Sequence, residues 1–105
     1  MNRGDVYWHK FKEPDKKRPV VIITRDGAIS DLNAVTVVPA TSTIRELPSQ
    51  VLLTEEEGMP QVCALNVDWV QTVPKRTLQD FITHLPEERM DEIFEAIKFA
   101  FGFDK

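Results

Sequence analysis

The stretch Pro19-Val20-Val21-Ile22-Ile23-Thr24 is almost entirely apolar, and five of its six residues are β-branched. Such a run is typical of a central strand that is buried on both faces. A turn-rich connection, Arg25–Asn33, separates it from a second β-branched run, Ala34–Ala40. Because proline lacks a backbone N–H, Pro39 predicts an edge or a bulge near the end of that second strand. The two runs predict neighbouring strands of a protein built mainly from β-structure.

Shorter segments on either side continue this pattern of brief strands and turns. The polar stretch Lys10–Lys17, which contains Pro14, is predicted to be a loop. A single helical turn is predicted over Pro74–Leu78, and Glu55–Gly58 is predicted to be a solvated turn. The remaining strands are predicted at Asp5–His9, Gln50–Leu53, Gln61–Asn66, Asp68–Val73 and Phe81–Leu85.

The last part of the chain has the periodicity of an amphipathic helix. Its apolar residues recur at helical spacing and form one stripe, made of Met90, Ile93, Phe94, Ile97 and Phe101. Pro86 suits the first helical position, and Gly102 suits a left-handed residue that ends the helix. The predicted fold class is therefore mainly β (α+β): a small barrel of short antiparallel strands capped by a C-terminal helix.

Length and composition indicate one domain over residues 1–105. Hydrophobic residues make up 42% of the chain, which is enough for a core, and no segment has the ~18 consecutive apolar residues of a membrane span. The charged N-terminus does not resemble a signal peptide, and Cys63 is the single cysteine, so no disulfide can form within the chain. We expect a soluble, cytoplasmic protein.

The charge is distributed unevenly. The net charge is −4, but residues 1–25 hold seven basic and three acidic side chains and carry +4, which leaves −8 on the other 80 residues. Such an asymmetry indicates a surface that binds a polyanion, although a solvated loop rich in lysine gives the same pattern. If the pattern marks a polyanion-binding surface, Lys16, Lys17 and Arg25 are the residues expected to bind RNA.

Five segments, in order along the chain, resemble the MazF/PemK/Kid family of ribonuclease toxins. The opening strand Arg3–Trp8 (RGDVYW) resembles the family's Arg-Gly-(Asp/Glu)-(Val/Ile)-(Tyr/Trp), and Arg18–Ile23 (RPVVII) resembles its Arg-Pro-Val-aliphatic strand. Val37–Ser42 (VVPATS) is similar to the family's Val-Val-Pro-(Ile/Val)-Thr-Ser. Weaker similarities follow at Val67–Val73 and Phe81–Glu88. Each motif alone is weak, but together they cover almost the whole chain.

The resemblance implies an SH3-like barrel that assembles as a homodimer. It also implies an endoribonuclease that cleaves single-stranded RNA at short preferred sequences without a metal ion or other cofactor, and so inhibits translation. The implied partner is a cognate acidic antitoxin whose disordered tail fills the RNA groove.

Metal-free cleavage of RNA requires stabilisation of a charged phosphorane and transfer of protons to and from ribose oxygens. Arg18 is the candidate for charge stabilisation, because a guanidinium presents planar paired donors that match phosphate oxygens. The Thr41 hydroxyl, with Ser42 beside it, can form a hydrogen bond to the scissile phosphate or to the attacking 2′-oxygen. The alternative is structural: a surface ion pair for Arg18 and a turn cap for Thr41.

The residues that could transfer protons match the family's motifs less well than Arg18 and Thr41 do. His9 can titrate near neutral pH, but the Kid branch has its catalytic histidine within a Gly-His-Glu-Gln segment of the loop, which is absent here. Asp68 corresponds to the family's Val-Asp-Gln aspartate, which in the Kid branch belongs to the catalytic group. For Asp68, a structural role as a turn cap is as much expected as a catalytic one. Asn66 and Gln71 stand where the family has arginines.

Aromatic residues provide candidates for base stacking. Trp69 stands where the family usually has glutamine, and we expect it to bind RNA, whereas Trp8 is more typical of core or interface packing. The acidic run Glu55–Glu57 has no histidine or further acid at ligand spacing, so no metal site is predicted.

Two other functions remain open on the same fold. One is a non-enzymatic inhibitor similar to the gyrase poison CcdB, although that branch relies on a Trp-Gly-Ile ending and this chain ends Phe101-Gly102-Phe103-Asp104-Lys105. The other is a weakened relative that only binds RNA or antitoxin, which the residues at positions 66 and 71 would allow. The presence of Arg18 and Thr41 favours the nuclease.

Overall fold

A computed structural model describes residues 1–12 and 17–103. Seven strands and two α-helices follow one another, with short 3₁₀ turns at Glu55–Glu57, Val67–Trp69 and Lys75–Thr77. The elements are β1 (Asp5–Lys10), β2 (Lys17–Ile22), α1 (Asp26–Ile29), β3 (Ala34–Thr41), β4 (Gln50–Leu53), β5 (Cys63–Asn66), β6 (Gln71–Pro74), β7 (Leu78–His84) and α2 (Glu87–Ala100).

All the strand pairs are antiparallel, and the order across the sheet is β4-β5-β3-β2-β1-β7. β3 also pairs with β6 along its first half and with β5 along its last two residues. The two ends of the sheet, β7 and β4, approach each other. The Thr83 hydroxyl of β7 donates a hydrogen bond to the carbonyl oxygen of Glu57, which lies just after β4, at 3.0 Å. The strands therefore curve into the small antiparallel barrel that the sequence predicts.

β2 has a core on each of its faces. Val21 belongs to the larger cluster, which lies beneath α2, while Val20 and Ile22 belong to a second cluster with Val35 and Val37. All three β2 valine and isoleucine side chains are fully buried. The prediction of a central strand with two buried faces is confirmed, and burial on both faces fixes the register of β2 against its neighbours.

Pro39 differs from the prediction of an edge strand. It lies in a central strand, opposite Val20 of β2. On the other side of β3, pairing with β6 ends at Val37 and pairing with β5 begins at Ala40. Pro39 thus occupies the break between two partner strands, where a missing N–H costs no ladder hydrogen bond.

The prediction of one strand over 68–73 was wrong for the first half of that segment. Val67–Trp69 is a 3₁₀ turn, because the Asn66 side chain accepts a hydrogen bond from the Asp68 N–H at 3.1 Å and caps it. The strand begins only at Gln71. A local side chain-to-backbone bond of this kind competes directly with strand pairing.

α2 packs its buried residues Met90, Ile93 and Ala96 onto the larger cluster. Pro86 is the N-cap of the helix, one residue before the first helical position at which it was predicted. Gly102 adopts a left-handed conformation with φ of 77°, as predicted. The predicted stripe extends too far, because Phe101 is 54% exposed. Among the described residues, no helix is long and apolar enough to cross a membrane.

Candidate active site

The antiparallel register of β2 and β3 brings the start of β2 beside the end of β3. The β2–β3 pairs are Val20 with Pro39, Val21 with Val38 and Ile22 with Val37, so Arg18 and Thr41 lie at the same end of the two strands. A cleft of about 560 Å³ opens there and includes both residues in its lining. The cleft is lined by Trp8, Lys17, Arg18, Pro19, Ala40, Thr41, Ser42, Pro60, Gln61 and Cys63.

Arg18 is half-buried at the start of β2, directly opposite His9 of β1. The buried residues Val20 to Ile22 follow it in the same strand and hold the backbone of β2 rigidly in the sheet. Within the part of the chain that the structure describes, no carboxylate forms an ion pair with Arg18. Its guanidinium is therefore available to an anion in the cleft.

Thr41 is the last residue of β3 and pairs with Ala64 of β5. Its Oγ1 accepts a hydrogen bond from the Thr43 N–H at 3.1 Å, which is the turn-capping geometry that the sequence left open. A hydroxyl oxygen that accepts one bond still has its own proton to donate. Turn capping and donation to a phosphate are thus compatible, and Ser42 lies exposed beside Thr41 on the same cleft.

The cleft rim carries concentrated positive charge and an aromatic ring. Lys10 and Lys17 lie directly opposite each other in the β1–β2 pair. The Lys17 Nζ is 5.7 Å from the centroid of the Trp8 ring, a cation–π arrangement. Like charges placed directly opposite destabilise a strand pair, so this arrangement favours an anionic ligand that separates or screens them.

His9 is not among the residues that line the cleft. Only 7% of its surface is exposed, and its ring packs edge-on against Phe11 at a centroid distance of 4.5 Å. Burial lowers the pKa of His9 from its ordinary value, because a desolvated imidazolium is disfavoured. Its Nδ1 has no hydrogen-bond partner among the described residues. His9 is thus a buried, neutral histidine.

Asp68 and Trp69 lie on the 3₁₀ turn before β6, and both are exposed outside the cleft. Trp69 is 64% exposed, and the Gln71 side chain donates to its carbonyl oxygen at 3.2 Å. Two of the residues that depart from the family pattern, Asn66 and Gln71, thus stabilise this turn through local hydrogen bonds.

The basic residues predicted to bind RNA are not all together. Lys17 lines the cleft, whereas Arg25 lines a second cleft of about 610 Å³ at the opposite end of the β2–β3 pair. Lys16 lies outside the described residues, as does the remainder of the loop over 13–16.

Sequence reasoning gave too little weight to Trp8 and missed Gln61 and Cys63. Trp8 lies two residues after the buried Val6 along β1 and pairs with Pro19, which directly follows Arg18. No local pattern marks Gln61 and Cys63, which reach the cleft only through the pairing of β5 with β3. Burial raises the pKa of the Cys63 thiol to about 11, so it remains protonated and unreactive near neutral pH.

Among residues 1–12 and 17–103, no group of three or more histidine, cysteine, aspartate or glutamate side chains is arranged to hold a metal ion. The titratable groups lining the cleft are Lys17, Arg18 and Cys63. What this arrangement offers chemically is a fixed guanidinium, a donating hydroxyl and a cationic, aromatic rim.

Comparison with known proteins places this chain in a family. A probable endoribonuclease, MazF5 of Mycobacterium tuberculosis, is 37% identical over 99 residues, which cover 93% of this chain and 90% of that protein. The solved structure of the M. tuberculosis toxin MazF-mt6 is 33% identical, covers 96% of this chain and 99% of its own, and superposes with a TM-score of 0.86.

A further solved structure, a mycobacterial endoribonuclease in complex with its cognate antitoxin, has the same fold. Its TM-score is 0.88 at 23% identity, over 100% of this chain and 98% of its own. A model of the PemK-like, MazF-like toxins of type II toxin–antitoxin systems matches residues 2–101. The chain belongs to this toxin family.

Proposed function

We propose that this protein is an endoribonuclease toxin that cleaves single-stranded RNA in the cleft at the end of the β2–β3 pair that contains Arg18 and Thr41. The observation that carries the proposal is that Arg18 and Thr41, which are 23 positions apart in the chain, line one cleft at the end of one strand pair. The endoribonuclease relatives and the family of toxins support the substrate class.

In the proposed reaction, the RNA supplies its own nucleophile. The ribose 2′-oxygen forms a bond to the adjacent phosphorus, the bond from phosphorus to the 5′-oxygen breaks, and the products are a 2′,3′-cyclic phosphate and a 5′-hydroxyl end. The Arg18 guanidinium stabilises the negative charge that develops on the non-bridging oxygens, and the Thr41 hydroxyl donates to one of them.

The proton of the 2′-hydroxyl leaves to a base, and the 5′-oxygen receives a proton as it departs. Among the described residues that line the cleft there is no histidine or carboxylate. We assign to Arg18 and Thr41 the electrostatic part of catalysis. Because Arg18 and Thr41 need no metal ion for their roles, the proposed reaction is metal-independent.

The test uses an RNA containing a cut site and a matched RNA in which the ribose at that site is 2′-deoxy. The purified protein should cleave the first in the presence of EDTA and give a cyclic phosphate end, and it should leave the second intact. Cleavage of the 2′-deoxy substrate would exclude the mechanism, and loss of all cleavage in EDTA would exclude metal independence.

The partner proposed is an acidic antitoxin whose chain occupies the same cleft. The opposed Lys10–Lys17 pair and Arg18 would attract its carboxylates, as they would the phosphates of RNA. An acidic antitoxin peptide should inhibit cleavage competitively, and the inhibition should weaken as salt rises from 50 to 300 mM, by roughly tenfold or more. Inhibition that leaves the KM for RNA unchanged would place the antitoxin elsewhere.

We also propose that the toxin is a homodimer. Large apolar side chains remain on the surface of the single chain, including Phe81 at 55% exposure on the edge strand β7 and Trp69 at 64%. Sedimentation velocity should show a mass of twice 12.1 kDa at micromolar concentration. A monomer at that concentration would contradict this part of the proposal.

A further inference from the structure

The side chain of Gln50 makes two hydrogen bonds to the backbone of the loop between β3 and β4. Gln50 is the first residue of β4, and its Oε1 accepts a hydrogen bond from the Arg45 N–H at 2.8 Å. Its Nε2 donates to the Thr43 carbonyl oxygen at 3.2 Å. The orientation of the amide is unambiguous, because a backbone N–H can only donate and a carbonyl oxygen can only accept.

The same loop residue, Thr43, is tied to the cleft. Its N–H donates to Thr41 Oγ1, so Thr43 is fixed at its N–H by Thr41 and at its carbonyl by Gln50. Because the Thr43 N–H occupies one lone pair of the Thr41 oxygen, the Thr41 hydroxyl proton is excluded from that direction and takes one of the remaining positions. That leaves the proton available to an acceptor in the cleft.

Without this tie the loop has little to hold it. Residues 42–48 are all exposed. Glu46 has a φ of 51° and is the single non-glycine residue with positive φ among the described residues. A left-handed residue of this type raises the energy of the loop, which the two Gln50 hydrogen bonds help to offset.

We propose that Gln50 is a positioning residue for catalysis: by clamping Thr43, it holds the Thr41 hydroxyl in the orientation that donates to the scissile phosphate. This inference rests on the proposed function, in which Thr41 contacts the phosphate. Gln50 itself is not among the residues that line the cleft. Its effect is therefore on the turnover step and not on the binding of RNA.

The test is Gln50→Met, which keeps the length of the side chain and removes both hydrogen bonds. We expect kcat to fall roughly tenfold with KM within about twofold of wild type, since small misplacements of a reacting group cost one to two orders of magnitude in rate. The matched control is Thr83→Val, which removes another hydrogen bond from a side chain to a loop carbonyl, away from the cleft. Thr83→Val should leave kcat unchanged.

A double-mutant cycle with Thr41→Val separates positioning from a general loss of stability. If Gln50 acts through Thr41, then Gln50→Met in the Thr41→Val background should lower kcat by less than about twofold. A further tenfold fall in that background would overturn the inference, as would wild-type kcat in the Gln50→Met protein. Wild-type kcat in Thr41→Val alone would instead overturn the catalytic role of Thr41, and this inference with it.

Gln50→Glu provides a second variant if Gln50→Met does not fold. Glutamate retains an acceptor for the Arg45 N–H but, when ionised, cannot donate to the Thr43 carbonyl. Its kcat should fall in the wild-type background and stay constant in the Thr41→Val background, and the opposite pattern would overturn the inference. Thermal unfolding of each variant verifies that the assays compare folded proteins.

Discussion

The two ends of the β2–β3 strand pair each form a cleft with arginine and threonine side chains, yet the two clefts differ in what those side chains are doing. The first contains Arg18 and Thr41, and the second, of about 610 Å³, contains Arg3, Arg25 and Thr36. Residue types and cleft volume alone would not distinguish them.

The hydrogen bonds of Arg3 and Thr36 distinguish the second cleft in part. In the second cleft, Arg3 Nε donates to the Ile23 carbonyl oxygen at 3.0 Å, and the Arg3 guanidinium lies 4.9 Å from the centre of the Phe94 ring. The Thr36 hydroxyl is paired with that of Thr72 at 2.9 Å. These groups stabilise the fold. Arg25 and the Thr24 hydroxyl, which accepts a bond from the Thr36 N–H at 2.8 Å, nevertheless remain comparable in the second cleft to Arg18 and Thr41 in the first. The distinction is completed by sequence, because Arg18 and Thr41 belong to the family-like motifs Arg18–Ile23 and Val37–Ser42.

The largest expected effect compares one arginine from each cleft. Arg18→Ala should lower kcat by roughly 10²–10³-fold, because it removes the donor that stabilises the phosphorane. Arg25→Ala should leave kcat unchanged and raise KM by no more than a few-fold, since Arg25 is exposed at the opposite end of the strand pair. Both are measured by cleavage of a short fluorescent RNA under single-turnover conditions.

Equal losses of kcat in Arg18→Ala and Arg25→Ala would remove the distinction between the clefts. Wild-type kcat in Arg18→Ala would remove Arg18 from the mechanism. Thermal unfolding serves as the control, because neither side chain belongs to a buried core cluster and neither variant should lose much stability.

The next effect compares the two tryptophans. Trp8 lines the first cleft and Trp69 is exposed outside it. Stacking of a base on an aromatic ring contributes about 1–3 kcal/mol, so Trp8→Leu should raise KM by roughly tenfold with little change in kcat. Trp69→Leu should change KM by less than about twofold when cleavage of the same RNA is measured. A larger rise in KM for Trp69→Leu would restore the sequence-based assignment of Trp69 to RNA binding.

Much of the fold could be predicted because it depends on local patterns. The β-branched run around Val20 and Val21 predicts a strand with two buried faces, and α2 follows from its helical stripe. Errors occur where a single side chain decides the local structure: Asn66 caps a 3₁₀ turn that interrupts a predicted strand. The sequence also does not show which strands pair with each other. Pro39 is compatible with a central strand only because β3 changes its partner strand at that point.

The candidate site was predicted in part. Arg18, Thr41, Ser42 and Lys17 come together because the strand order brings two motifs to one end of the sheet. The positions of His9 and Asp68 relative to that cleft depend on which face of β1 is buried and on the turn before β6. Neither property is encoded in the spacing of the motifs.

A smaller effect is expected from the opposed lysines. Lys17→Gln removes one charge of the Lys10–Lys17 pair and so should raise KM a few-fold. It should also reduce the slope of log KM against log salt by about 0.7, the value for one phosphate contact with a single strand. Because the like charges repel each other in the free protein, the free energy of unfolding should stay constant or rise by a few tenths of a kcal/mol. An unchanged salt dependence would mean that Lys17 does not contact RNA.

The smallest effect on turnover is expected at His9, which neighbours Trp8 in β1 but is buried. Because burial lowers its pKa in the folded protein, the unfolded chain takes up a proton below about pH 6.5 while the folded chain does not. Stability should therefore fall as the pH drops below 6.5, until His9 protonates in the folded state as well. His9→Leu should remove this part of the pH dependence, as measured by urea unfolding at pH 7.5 and 5.0.

His9→Leu also tests whether the buried imidazole of His9 takes part in the reaction. At pH 7.5, His9→Leu should equal or exceed the wild type in stability, by up to about 1 kcal/mol, because it removes a buried nitrogen that has no partner among the described residues. Its kcat should stay close to that of the wild type. A loss of 10²-fold or more in a folded His9→Leu protein would instead make His9 the general base, since its neutral form is then the reactive one and its place opposite Arg18 puts it one strand from the phosphate.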